Sequence, residues 1–118
     1  MYGLPKNVDL AFLKGKELLQ VCLGENEVIM NFFEATSITI QTTIYHYEED
    51  RLVGVFGNAP ASAATVVRFL GHTIADFQTS EDGTLRLKFS NGESLEIRDE
   101  DKHYECYLIG HQGKMVVV

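Results

Sequence analysis

The chain contains an internal repeat, which constrains its fold more than any other feature. A shift of 57 positions aligns the two halves at the following sites: Phe32 with Phe89, Ser37 with Ser94, Ile38 with Leu95, Ile40 with Ile97 and His46-Tyr47-Glu48 with His103-Tyr104-Glu105. A repeat of this length indicates two copies of one supersecondary unit that share a core. We therefore predict a single domain over residues 1–118, with copies at about 8–56 and 65–118.

Most of each copy shows the apolar–polar alternation of half-buried β-strands. In the first copy the longest run of this kind covers residues 36–47, where Ile38, Ile40 and Ile44 share one face. In the second copy, strands over 85–89 and 95–97 are separated by Asn91-Gly92, a strong hairpin signal. The pattern predicts antiparallel meanders with one solvated face.

One segment departs from this alternation and predicts a helix. Ala63, Val66, Val67 and Leu70 have the spacing of one helix face, and Gly71 suits the position just past a helix end. The predicted fold class is therefore mainly β (α+β). It is an antiparallel β-sandwich or open barrel of two pseudo-symmetric meander repeats, with one helix near residues 60–70.

The charge of the chain limits its partners. The formal net charge is -7, and both halves are acidic. Nucleic acids and anionic membranes select basic surfaces, so we expect neither as a direct partner. A basic protein is compatible with this charge. No apolar run approaches the roughly 20 residues that span a bilayer, and no signal-peptide pattern is present, so we expect a cytoplasmic protein.

The sequence contains no motif that we assign to catalysis or to a cofactor. Ser62 and Ser94 lack the flanking glycines of a nucleophile elbow. Cys22 and Cys106 lie in apolar segments without metal-ligand spacing, and we expect both to be free thiols. We therefore predict no catalytic residues, no metal ligands, no cofactor and no enzymatic activity.

The repeated His-Tyr-Glu offers an alternative. His46, Glu48, His103 and Glu105 could meet across the pseudo-twofold axis, which would form a metal or acid–base site. Under this hypothesis the chain is a small-ligand-binding or metal-binding β-sandwich, or an enzyme. The competing interpretation is that these side chains cover the rim of the sheet and bond to the backbone.

Two acidic clusters with neighbouring tyrosines are the candidates for a protein interface. Carboxylates suit a basic partner, and tyrosine is enriched at protein contacts. The candidate residues are Tyr47, Glu48, Glu49, Asp50, Asp99, Glu100, Asp101 and Tyr104. The clusters could lie on one rim of the sheet or on opposite rims.

The chain also resembles a known class of protein. The resemblance is carried by residues 9–18 (Asp-Leu-Ala-Phe-Leu-Lys-Gly-Lys-Glu-Leu) with Gln20-Val21-Cys22, and by 85–97 followed by Tyr104-Glu105-Cys106-Tyr107. These segments resemble small bacterial proteins that are similar to the immunity proteins of polymorphic toxin and contact-dependent growth-inhibition systems. The resemblance implies an antitoxin that binds a cognate toxin domain, and a nuclease is the favoured target.

A third hypothesis is a homodimeric structural module. In this interpretation the sheet edges of two copies pair through the terminal residues Val116, Val117 and Val118.

Overall fold

The computed structural model describes residues 3–5, 8–100 and 105–118. Ten strands, one α-helix and two short 3-10 helices (Ala11–Leu13 and Val67–Phe69) make up the described fold. The strands are β1 (Leu18–Leu23), β2 (Val28–Phe32), β3 (Thr36–Ile40), β4 (Ile44–Glu48), β5 (Arg51–Phe56), β6 (Ile74–Thr79), β7 (Leu85–Phe89), β8 (Glu93–Ile97), β9 (Tyr107–His111) and β10 (Lys114–Val117). The helix α1 covers Ala59–Val66.

The strands form two five-stranded sheets, and neighbouring strands are antiparallel throughout. The first sheet has the order β1-β2-β3-β9-β10, and the second has the order β5-β4-β8-β7-β6. The buried apolar residues of both sheets form one cluster, which includes Met30 and Ile38 from the first sheet and Leu87 and Leu95 from the second. The predicted fold class is thus confirmed.

The two sheets have the same construction, and each uses strands from both copies of the repeat. Strands β1–β3 and β6–β8 form equivalent three-stranded meanders. The hairpin β4–β5 then pairs with β8 of the second copy, whereas β9–β10 pairs with β3 of the first. Each copy therefore completes the sheet of the other. The run at 36–47, predicted as one strand, divides into β3 and β4 because the chain crosses between the sheets at residues 41–43.

The pseudo-twofold axis passes between the segments that precede β1 and β6. The Gly15 amide donates to the carbonyl oxygen of Ile74 at 2.7 Å, and the Gly71 amide donates to that of Leu18 at 2.9 Å. Both glycines have positive φ (86° and 83°), a conformation that glycine adopts without steric cost. These reciprocal bonds, with an isolated bridge between Glu17 and Thr73, join the two sheets.

The strand register corrects one part of the sequence alignment. In the ladders, His46 lies opposite Leu95 and Ile109 lies opposite Ile38, so His46 corresponds to Ile109 rather than to His103. The connection after β8 is longer than the one after β3. The strands that follow it therefore no longer align with those of the first copy at a shift of 57 positions. The match between the two His-Tyr-Glu tripeptides is therefore not part of the structural repeat. His103 and Tyr104 lie outside the described residues.

The predicted helix near residues 60–70 is confirmed. It consists of the short helix α1 followed by the second 3-10 helix. The side chain of Asn58 caps α1 by accepting from the amide of Ala61 at 3.0 Å, and Pro60 lies in the first turn. The helix buries Ala63 and Val66, and it contacts β1, β2 and β5. Among the described residues of the first copy, the 3-10 helix Ala11–Leu13 lies at the corresponding place.

Candidate functional site

The two acidic clusters lie at opposite ends of the second sheet. Strands β4 and β8 are antiparallel, with Glu48 opposite Glu93 and Ile44 opposite Ile97. The turn 48–50 therefore lies beyond one end of β8, and residues 99–100 lie beyond the other end. Five-residue strands extend about 14 Å, so the clusters do not form one patch. Asp101 and Tyr104, the remaining predicted interface residues, lie outside the described residues.

The cluster at 48–50 is exposed. Glu48 pairs with Arg51 at 3.5 Å, and the side chain of Asp50 is fully exposed. Glu49 has a φ of 56°, the left-handed conformation of a tight turn, and its carbonyl oxygen accepts a hydrogen bond from Arg86 at 3.1 Å. The turn thus presents the carboxylates of Glu49 and Asp50 to solvent while its backbone is anchored to β7.

The other cluster has a structural role. The Oδ2 atom of Asp99 accepts a hydrogen bond from the amide of Gly3 at 2.7 Å, which attaches the N-terminal segment to the second sheet. The Oε1 atom of Glu100 accepts a hydrogen bond from the Tyr45 hydroxyl at 2.6 Å. This bond to a carboxylate raises the pKa of Tyr45 and keeps its hydroxyl protonated. These contacts leave Asp99 less available to a partner than Asp50.

Two arginines lie over two tyrosines on the outer face of the second sheet. The guanidinium of Arg98 is 3.6 Å from the ring centroid of Tyr45, and that of Arg86 is 4.3 Å from the centroid of Tyr47. Arg98 also donates to the Tyr47 hydroxyl at 3.3 Å. Cation–π contacts of this kind stabilise both partners and restrict their rotamers.

Glu96 connects the two arginines. Its Oε1 atom accepts a hydrogen bond from Arg98 at 2.7 Å, and its Oε2 atom is 3.8 Å from Arg86. Leu52 and Val55 lie opposite Tyr47 and Tyr45 on the edge strand β5, and they are 47% and 54% exposed. We name this surface the tyrosine–arginine face. It comprises Tyr45, Tyr47, Leu52, Val55, Arg86, Glu96 and Arg98.

A groove of about 460 Å³ borders the tyrosine–arginine face. Its lining combines the acidic turn with residues of β6, β7, β8 and the turn before β8, most of them polar: Glu49, Asp50, Asp76, Phe77, Gln78, Arg86, Lys88, Gly92 and Ser94. Of the predicted interface residues, Tyr47 lies on the face, and Glu49 and Asp50 lie at the groove. The surface can accept an extended polar segment or a charged side chain of a partner.

The arginines of this face were missed in the sequence analysis. Arg86 occupies a polar position of β7 and Arg98 directly follows β8, so alternation places both on a solvated face. Their proximity to Tyr45 and Tyr47 depends on the pairing of β4 with β8, two strands from different copies. The available signal was the alternation that places Tyr45, Tyr47 and Arg86 at outward strand positions.

The proposed His-Tyr-Glu site is not assembled among the described residues. His46 is directed into the core, where its ring makes an edge contact with Phe69, and its Nε2 atom is 2.6 Å from Oε1 of Glu93. Glu48 is at the rim with Arg51, and Glu105 is exposed outside any strand. Glu93 is therefore the carboxylate partner of His46.

Other features that bear on function are few. In residues 3–5, 8–100 and 105–118, no three His, Cys, Asp or Glu side chains are grouped so that they could hold a metal ion. Cys22 and Cys106 form no disulfide, and the Cys106 thiol donates a hydrogen bond to Oδ1 of Asp99 at 3.3 Å. No helix in this part of the chain has the length and apolar character needed to cross a membrane.

Comparison with known proteins identifies a family. Searches of curated proteins and of solved structures found no significant match to the chain. A family model matches residues 10–118, which is nearly the whole chain and includes all ten strands. The chain belongs to DUF6188, a family of unknown function.

Proposed function

We propose that the chain is an immunity protein that binds a cognate toxin domain and blocks its active site or substrate groove. A nuclease is the toxin that the acidic charge of the chain favours, because nucleases carry basic clefts. In this proposal the chain acts in the cytoplasm, uses no cofactor and has no catalytic role of its own.

The tyrosine–arginine face is the observation that carries the proposal. Tyrosine and arginine are enriched at protein interfaces and dominate binding energy where they are buried by a partner. Here the arginines are already positioned over the tyrosine rings at 3.6 and 4.3 Å. Side chains that are ordered before binding lose less conformational entropy on association, which favours tight binding.

The acidic turn supplies the electrostatic part of the proposal. Glu49 and Asp50 are exposed at the end of the same face, beside the groove that Arg86 and Lys88 also line. Exposed carboxylates at the rim of an interface accelerate the approach of a basic partner, and this effect weakens as salt concentration rises. The turn is thus placed to guide a basic cleft onto the tyrosine–arginine face.

A neutralisation assay tests the proposal. The C-terminal domain encoded immediately upstream of this gene is expressed in a bacterial host with and without the chain, and growth is followed. We expect the chain to restore growth. The variant Arg86→Ala removes the contacts to Tyr47 and Glu96, and it should weaken toxin binding at least tenfold as measured by calorimetry. The double variant Glu49→Gln/Asp50→Asn should lower the association rate at low salt.

The matched control is Thr39→Ala, a substitution on the outer face of the first sheet, away from the tyrosine–arginine face. It should restore growth like the unmodified chain. If Arg86→Ala still restores growth and binds the toxin with unchanged affinity, the tyrosine–arginine face is not part of the interface. A toxic upstream domain that the chain neither binds nor neutralises would refute the immunity role.

A further inference from the structure

The groove beside the tyrosine–arginine face is present because one outward position of β8 carries a small side chain. Ser94 lies between Tyr47 of β4 and Lys88 of β7 in the ladders, so its side chain is on the outer surface of the second sheet. The side chains of Tyr47 and Lys88 are much longer and stand on either side of it. Ser94 therefore forms the floor of the depression of about 460 Å³, and the acidic turn lines one end.

The hydroxyl of Ser94 is a polar group without a partner in the described part of the chain. Ser94 is only 4% exposed, yet its hydroxyl makes no hydrogen bond to any described residue. Among these residues no side-chain oxygen or nitrogen is both fully enclosed and unbonded, so this hydroxyl opens into the groove that Ser94 lines. Polar groups with so little exposure are normally hydrogen-bonded. The Ser94 hydroxyl is therefore available to a group that enters the groove.

The charge of the lining favours a cation as that group. The lining contains the carboxylates of Glu49, Asp50 and Asp76 and two basic side chains. Of the basic ones, Arg86 already donates to the carbonyl oxygen of Glu49 and pairs with a carboxylate of β8. Lys88 lies opposite Asp76 in the ladder between β6 and β7. The exposed carboxylates of the turn therefore remain for an incoming positive charge.

We infer that the groove receives a lysine or arginine side chain of a partner protein. The identity of that partner as the toxin rests on the proposed function, whereas the chemistry of the site does not. Ammonium and guanidinium groups are donors only, so either can donate to the hydroxyl oxygen of Ser94 while it pairs with Glu49 and Asp50. Charge-assisted bonds of this kind are stronger than neutral ones, and a side chain anchored in a pocket contributes more to binding than one at the rim.

An NMR titration of the full chain with argininamide tests the chemistry of the site without the toxin. We expect argininamide to shift the amide signals of Gly92 and Ser94, and acetate, the anionic probe, to leave them unchanged. Lys88→Gln removes a like charge and should tighten argininamide binding by about threefold, whereas Asp76→Asn should weaken it by about the same factor. Glu25→Gln, which makes the same change of charge on the turn between β1 and β2, is the control and should change nothing.

The direction of the effect at Lys88 decides the charge of the occupant. Removal of a lysine strengthens the binding of a cation and weakens the binding of an anion. Weaker argininamide binding in Lys88→Gln, or a response of the groove to acetate alone, would therefore overturn the inference. The absence of any response to argininamide at Gly92 and Ser94 would overturn it as well.

Calorimetry with the toxin domain extends the test to the partner. Ser94→Val fills the floor of the groove with a β-branched side chain that suits a strand, and circular dichroism verifies the fold. This variant should weaken toxin binding by about tenfold or more, and Thr39→Ala should bind like the unmodified chain. Unchanged affinity in folded Ser94→Val would overturn the inference and leave the proposed function standing. If the chain binds no toxin, the proposed function fails, and the argininamide titration still decides the site.

Discussion

His46 and Glu93 form a hydrogen-bonded pair at the edge of the core, with Nε2 and Oε1 2.6 Å apart. His46 is only 2% exposed, whereas the side chain of Glu93 is partly exposed. The Oε1 atom of Glu93 also lies 3.5 Å from the guanidinium of Arg68. The pair joins β4 of the first copy to β8 of the second and therefore crosses the boundary between the repeats.

Removal of the carboxylate should destabilise the fold. Glu93→Ala leaves a buried imidazole nitrogen without its partner, which costs about 1–3 kcal/mol of unfolding free energy. Urea denaturation measures this loss. Glu48→Ala, at the opposite position in the same ladder, serves as the control and should change stability by less than about 0.5 kcal/mol. Equal losses in the two variants would show that the bond to His46 contributes little.

Tyr107 should make stability fall at high pH. Its buried hydroxyl donates to the carbonyl oxygen of Gly83 at 2.6 Å, and burial raises its pKa well above the ordinary value of about 10. Above pH 10 the unfolded chain loses this proton while the folded chain keeps it. The unfolded state then binds fewer protons, so the free energy of unfolding decreases as pH rises.

The variant Tyr107→Phe isolates this effect. It should be less stable by about 1–3 kcal/mol at pH 7, because the carbonyl oxygen of Gly83 loses its donor. It should also lose less stability than the unmodified chain between pH 9 and 11, as measured by denaturation at each pH. Tyr47→Phe, on the outer face of the second sheet, is the control. If Tyr107→Phe and the unmodified chain show the same pH dependence, Tyr107 is not the group that lowers stability at high pH.

Gly83 should tolerate a side chain less well than Gly113. Both glycines have positive φ, 90° and 84°, so alanine at either position is strained by about 1–3 kcal/mol. At Gly83 an added Cβ atom would also lie 2.7 Å from Cβ of Asp99, whereas nothing lies within 4 Å at Gly113. Thermal denaturation should therefore give a lower midpoint for Gly83→Ala. Equal midpoints would mean that Asp99 and the N-terminal segment move away at little cost.

Neither copy of the repeat should fold alone. A fragment of residues 1–57 contains β4 and β5 but lacks β8, with which β4 pairs. A fragment of residues 58–118 contains β9 but lacks its partner β3. Both fragments should lack the circular dichroism of a folded sheet, and an equimolar mixture should recover it. A fragment that folds as a monomer with native strand pairing would contradict the exchange of hairpins between copies.

The local parts of this fold could be predicted from the sequence. Strand alternation at 85–89, the hairpin signal of Asn91-Gly92 and the helix near Pro60 depend on neighbours within a few residues, and all three are present in the structure. The acidic turn at 48–50 was also located. The division of 36–47 into two strands was not predicted, because a continuous alternation does not reveal where a chain changes sheets.

The candidate site depended on contacts that only the tertiary structure could establish. The sequence by itself determined two similar acidic copies, their strands and turns, and the outward position of Arg86 and Arg98. The tertiary structure decided that Glu93, rather than His103, is the partner of His46, and that the arginines lie over Tyr45 and Tyr47. The physical reason is that side-chain alternation assigns a residue to one face of a strand, but the pairing between distant strands selects its neighbours on that face.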